Sequence, residues 1–147
     1  MLPSARMSDE QPGLRRRLAH ASRRLPVQHA YLDALVATTR RALERNTPAE
    51  AREALHAFRG ALDAHFALEE QVHFPGLHGL APEHDREIEA LVLGHHALRD
   101  RLLVLEGQVG REPRDVVARA FVDFGGALRE HETREERLFE AAVFEPA

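Results

Sequence analysis

The chain has 147 residues, 44% apolar and 30% charged, with a net charge of −4. That is enough for one domain with a core, and too mild a charge to point to nucleic acid or an anionic membrane as a partner. It contains no cysteine, which removes disulfides, thiolate metal sites and cysteine nucleophiles, and all 20 basic residues are arginine, which removes Schiff-base and P-loop lysines.

Residues 1–12 read as a flexible N-terminal tail, and 13–147 as a single domain. The opening "MLPSARMSDEQPG" lacks an apolar signal core, and no hydrophobic segment follows the arginine pairs of "RRRLAHASRR". No apolar run approaches the roughly 20 residues that span a bilayer, so the default location is the cytoplasm.

The breakers "QPG", "LP" (25–26), "NTP" (46–48), "FPGLHGLAP" (74–82) and "GQVGREP" (107–113) divide stretches rich in Ala, Leu, Arg and Glu, all good helix formers. They predict a short helical piece at about 13–24 and main helices at about 26–45, 48–73, 82–107 and 113–143. Thr47 with Glu50 three residues on is a capping-box signal, and Pro48, Pro82 and Pro113 suit first-turn positions. Short connections favour antiparallel neighbours. The expected fold is all-α: an up-down-up-down four-helix bundle with a short N-terminal helical extension.

Core positions recurring at steps of three and four pick out one seam per helix. They read Leu25, His29, Leu32, Val36, Thr39, Leu43; then Leu55, Phe58, Leu62, His65, Glu69, Val72; then Ile88, Leu91, His95, Leu98, Leu102, Leu105; then Val117, Phe121, Phe124, Leu128, His131, Glu135, Leu138, Ala142. Apart from Thr39, the polar residues in these seams are of two kinds only, His and Glu. Those six lie near the start of odd helices and the end of even ones, so an antiparallel bundle brings them to one level.

Six polar groups in one core layer must satisfy one another, meet water, or hold metal. The i, i+4 spacing of His65/Glu69 and of His131/Glu135 puts each pair on one helix face. With His29 and His95 they supply four nitrogens and up to four oxygens, a donor set that suits iron and also fits zinc, manganese or copper. A lone core histidine is usually just a satisfied histidine; four helices placing His or Glu at one level is a different matter.

These residues resemble the hemerythrin-like, or HHE cation-binding, family. Its pattern H…H-x-x-x-E…H…H-x-x-x-E is matched by "HAYL" (29–32), "HFALEEQVHFP" (65–75), "HHALRDRL" (95–102) and "HETREERLF" (131–139), over roughly residues 26–143. The resemblance implies that His29, His65, Glu69, His95, His131 and Glu135 are ligands to two non-haem irons, with Glu69 and Glu135 bridging. It also favours His95 over His96. The oxygen-carrying members use a second histidine on the third helix, where this chain has Arg99, and an aspartate where it has Glu136. The match is therefore to the subgroup with one histidine fewer, which leaves a position for an exchangeable water, hydroxide or diatomic ligand.

Glu70, Glu132, His73 and His96 stand near enough in sequence to add a ligand, but the ordinary expectation for each is a solvated or supporting side chain. His20, His56, His78 and His84 read as surface residues, and the single E-x-x-H at 53–56 does not make a ferritin-like site, which needs two. The resemblance implies a protein that binds or senses oxygen, nitric oxide, peroxide or iron; a signalling role would need a homo-oligomer or a signalling partner. Two other expectations stand beside it. One is an enzyme on the same scaffold that decomposes peroxide, consumes nitric oxide or oxidises iron. The other is a helical interaction module with a vestigial or single-metal site. Leu103 and Val104, outside the seam, are expected to pack against the N-terminal piece.

Overall fold

The computed structural model describes the backbone of residues 2–144 and the side chains of residues 12–144. Most of the expected 1–12 tail, and residues 145–147, lie outside the described side chains. The described residues form helices and no strand: α1 (Leu2–Arg45), α2 (Pro48–Leu68), a π-helical turn (Glu69–His73), α3 (Phe74–Leu80), a 3-10 turn (Pro82–His84), α4 (Asp85–Gln108) and α5 (Arg114–Phe144). No helix among them is long and apolar enough to cross a membrane.

Residue pairs across neighbouring helices fix the topology. Along α1 and α5, His29 faces Glu136, and Asp33 faces Arg129. Along α2 and α4, Arg59 faces Glu106 and Asp63 faces Arg99. In each case the number rises on one helix as it falls on the other, so the helices are antiparallel. The four long helices close a ring in the order α1, α2, α4, α5. At one end Leu43, Pro48, Val109 and Val117 gather, which are the end of α1, the start of α2, the end of α4 and the start of α5. This is the expected up-down-up-down bundle.

Local signals explain the connections. Thr47 Oγ1 accepts the Glu50 amide at 3.2 Å, and the Glu50 carboxylate accepts the Thr47 amide at 3.3 Å, so the capping box that starts α2 forms. Between α4 and α5 the chain turns at Gly110, whose φ of 84° is a left-handed conformation that suits glycine.

Two expected breaks are absent. Pro26 lies inside α1, which runs unbroken to Arg45, so the separate piece at 13–24 is the first part of one long helix. An interior proline costs about 3 kcal/mol. Leu25 at 0% and Leu18 at 4% exposure, both packed in the core, offset it. "FPGLHGLAP" is also helical as far as Leu80. Pro75 has no amide to donate, and the preceding π-helical turn accommodates it: the Phe74 amide reaches back five residues to the Glu69 carbonyl. The extra residue advances the helix phase. Val72, assigned to the seam by its spacing, is 58% exposed, and His73 takes the buried place.

The apolar core falls into two clusters. One contains Leu32, Leu55, Phe58, Leu62, Leu98, Leu102, Phe121, Phe124 and Leu128. The other contains Leu18, Leu25, Phe74, Leu77, Leu91, Leu138 and Phe139. Each fully buried side chain of this size contributes about 1.5–3 kcal/mol. The N-terminal part of α1 belongs to the second cluster, with Leu14 and Leu18 packed against Gly76 of α3. It does not cover Leu103 and Val104, which stay 51% and 59% exposed. The polar layer lies between the two clusters.

Candidate metal centre

His29 on α1, His65 on α2, Glu69 at the opening of the π-helical turn, His95 on α4, and His131 and Glu135 on α5 all enter this layer. Each imidazole turns Nε2 inward. His29 Nε2 is 3.5 Å from Glu135 Oε1, and His131 Nε2 is 3.6 Å from the same oxygen. His65 Nε2 is 3.5 Å from Glu69 Oε2. His95 Nε2 is 3.2 Å from Glu69 Oε1 and 3.5 Å from Glu135 Oε2.

None of these approaches is a hydrogen bond. All four Nε2 atoms and all four carboxylate oxygens are buried with no hydrogen-bond partner. A buried polar atom left unsatisfied costs about 1–3 kcal/mol, so eight converging on one spot call for a guest. Two donors each about 2.1 Å from one ion sit roughly 3.0–3.4 Å apart, close to the separations observed. The atoms form two groups, His29, His65, Glu69 and Glu135 in one and His95, His131 and Glu135 in the other. Glu135 belongs to both. Glu69 also spans them, with one oxygen toward His65 and the other toward His95. The donor chemistry and its orphaned atoms fit two cations held by imidazole and bridging carboxylate.

The titration of the layer follows from the same crowding. Burial first, and then the Glu69 carboxylate opposite, push the Glu135 carboxyl well above its usual range. Glu69 goes the other way: against the cost of burial, contact with Glu135 and with the imidazoles of His65 and His95 holds it well below. Two carboxylates this close do not both ionise unless positive charge lies between them. Burial, and then the charge of His95, bring His131 down to about 4. Burial likewise lowers His29 and His73. His29 and His131 are thus held neutral, as ligands to a metal must be.

The surroundings aim the rings. Nδ1 of His95 donates to Glu70 Oε2 at 2.6 Å, and Nδ1 of His29 donates to Glu136 Oε2 at 2.8 Å. These bonds place the protons on Nδ1 and leave each Nε2 lone pair facing the layer. Glu70 is held in turn by Arg99 at 3.2 Å, and Arg99 also pairs with Asp63 and lies 5.2 Å over the Phe66 ring. Arg99 therefore braces His95 through Glu70 where the oxygen carriers place a further histidine. Phe66 stacks on His95 at 3.8 Å between centroids, almost parallel at 11°. Glu70→Gln is expected to lower cation affinity about 10–100-fold, the usual effect of losing such a carboxylate partner, with the fold intact. Competition titration against a coloured chelator measures this.

Gly94 is a residue that the spacing argument passes over. A Cβ there would lie 2.8 Å from His131 Nδ1 and 2.9 Å from its Cε1. Glycine lets α4 approach closely enough for the imidazole to lie against its backbone. The only sequence signal is a glycine inside a helix beside "HH". Gly94→Ala is expected to displace His131 and lower cation content relative to the wild type, read by elemental analysis, while circular dichroism stays unchanged.

Of the four further residues near the motifs, His96 is exposed and Glu70 supports His95. His73 and Glu132 are buried, at 8% and 3% exposure. His73 Nδ1 has no partner, and its ring meets Phe139 edge-on at 5.6 Å. Burial first, and then the carboxyl of Asp33, raise Glu132 to about 9. His20, His56 and His78 are exposed and His84 is half-buried.

The hemerythrin HHE cation-binding domain model matches residues 20–143. No curated protein and no solved structure matches the chain.

Proposed function

The chain belongs to the hemerythrin HHE cation-binding domain family, and we propose that it holds two non-haem iron ions and binds or senses a small ligand there: oxygen, nitric oxide, peroxide or iron itself. The observation that carries this is the set of eight buried, unpartnered donor atoms on four helices. His29, His65, Glu69 and Glu135 would hold one ion. His95 and His131, with the remaining Glu69 and Glu135 oxygens, would hold the other. Imidazole and carboxylate suit iron, and zinc or manganese fits the same donors.

Iron held by these residues would supply one-electron chemistry and a binding place for a diatomic. The chain's own residues do the rest. Glu70 and Glu136 orient His95 and His29. The two apolar clusters limit access of water from above and below the layer. Phe66 fixes the plane of His95. The shortage of one histidine relative to the oxygen carriers favours an exchangeable ligand over a closed, purely structural site.

The test is metal content per chain after anaerobic loading with ferrous iron, followed by titration with nitric oxide and exposure to air, each read by visible absorption. Two irons per chain, and new absorption with either gas, are expected. One tightly held zinc, or no metal, would overturn the assignment. Turnover assays of the same iron-loaded protein with peroxide or nitric oxide separate binding from catalysis.

A further inference from the structure

The α1/α5 face carries a ladder of carboxylates that are not among the six inward-facing donor residues of the metal centre. The antiparallel register sets His29 beside Glu136, with a 2.8 Å hydrogen bond between them. One turn further from the layer, Asp33 of α1 meets Glu132 of α5. One turn beyond that, the two helices part around a groove of about 390 Å³, lined by Asp33, Val36, Arg40, Phe121, Gly125 and Arg129 among others. Carboxylates therefore occur at successive turns from an open groove to a histidine of the centre.

Glu132 is the unusual member. It is 3% exposed, and its Oε2 is buried with no partner. Its carboxyl faces Asp33 and Glu136, two more acids, and no basic group is buried with it. A buried carboxyl oxygen with no partner is costly until a donor or a cation reaches it. Asp33 and Glu136, at 32% and 36% exposure, connect this buried oxygen to solvent. The nearest cation is the guanidinium of Arg129, 73% exposed and 3.7 Å from Asp33 Oδ2. An exposed pair of this kind is worth little and is easily displaced.

Building on the metal-centre assignment, we propose that Asp33, Glu132 and Glu136 form a loading path for divalent cations. The groove and Asp33 receive the hydrated ion, with Arg129 holding that position when no ion is there. The buried Glu132 oxygen takes the ion over as it loses water. Glu136, at the turn of His29, delivers it to the layer. The acids lower the barrier to passage by offering oxygen donors in place of water and by focusing the field along one face. Asp33 and Glu132 do not set the final affinity, which belongs to the six residues within.

The test mixes metal-free, full-length protein with excess cobalt(II) at low ionic strength. Uptake is followed by visible absorbance in a stopped-flow instrument, and final content by elemental analysis. Asp33→Asn and Glu132→Gln are expected to reach the wild-type final content at least ten times more slowly. Arg129→Ala is expected to load at least twice as fast, and all three differences should shrink as salt is raised. Rates within twofold of wild type for both acid variants would overturn the path. So would a lower final content in Glu132→Gln, which would make Glu132 a holder of the ion instead of a station on its way. Should Glu132→Gln fail to fold, Asp33→Asn and Arg129→Ala still give opposite expected signs. Wild-type protein that takes up no cobalt at all would bring down the metal-centre assignment itself, a result distinct from unaltered rates in a protein that loads.

Discussion

Glu135→Ala will empty both halves of the centre, whereas His29→Ala will leave about one cation per chain. The difference follows from the geometry of one carboxylate. Glu135 Oε1 lies 3.5 Å from His29 Nε2 and 3.6 Å from His131 Nε2, and its Oε2 lies 3.5 Å from His95 Nε2. It is therefore the residue common to both donor groups. Removing it takes an anionic donor from each cation and leaves two positive ions with Glu69 alone to screen them. His29 serves one group only, and its loss leaves His95, His131 and both bridging carboxylates in place. We expect Glu135→Ala to lose at least 10³-fold in affinity, about 4 kcal/mol, and to emerge from gel filtration with less than about 0.2 cations per chain. Circular dichroism should still show a helical protein, because the apolar clusters on either side are untouched. Retention of two cations by Glu135→Ala would mean that the bridging arrangement is wrong, whatever else the layer binds.

Most of this layer was legible from spacing, and the reasons for the exceptions are physical. An α-helix repeats with a fixed period, so Leu-to-His and Leu-to-Glu substitutions in a seam can be counted, and antiparallel order then sets their level. That logic places His29, His95, His131 and Glu135 because α1, α4 and α5 keep one period throughout. It fails at Val72 because a π-helical turn adds a residue to the repeat and rotates everything after it. The expectation carried past Glu69 by simple counting therefore lands on the wrong face, and His73 is buried instead. Prolines mislead in the opposite direction. Pro26 and Pro75 read as breaks, yet packing and the π-helical turn carry the helices through both. Gly94 looks like a weak spot until the ring of His131 is seen against it. Glu70 and Glu136 are ordinary surface glutamates by composition. Only the distance to an Nδ1 atom in the folded chain gives them a role.

Removal of the metal should cost this protein more stability than most single core substitutions. In the metal-free chain the eight inward donor atoms have no partners within the protein, and each buried unsatisfied group costs about 1–3 kcal/mol. Glu69 and Glu135 face one another with one of them obliged to hold a proton. The layer also separates the two apolar clusters, so no apolar packing spans it to offset this cost. Cations bound only by the folded state stabilise it by RT ln(1 + [L]/Kd), about 4 kcal/mol per site at a thousandfold excess over Kd. Two such sites give about 8 kcal/mol. At about 2–4 °C per kcal/mol for a chain of this size, the melting temperature should fall by at least about 15 °C when a strong chelator is added. A second variant shows whether the layer is the cause. Glu69→Leu combined with Glu135→Leu removes the opposed carboxylates and joins the two clusters, and replacing buried charges by well-packed apolar groups is often neutral or stabilising. That double variant should melt above the metal-free wild type and should not respond to chelator. Calorimetry with and without chelator on both proteins decides the matter. An unchanged wild-type melting temperature would show that the layer is satisfied without metal, and that the four helices converge there for packing alone.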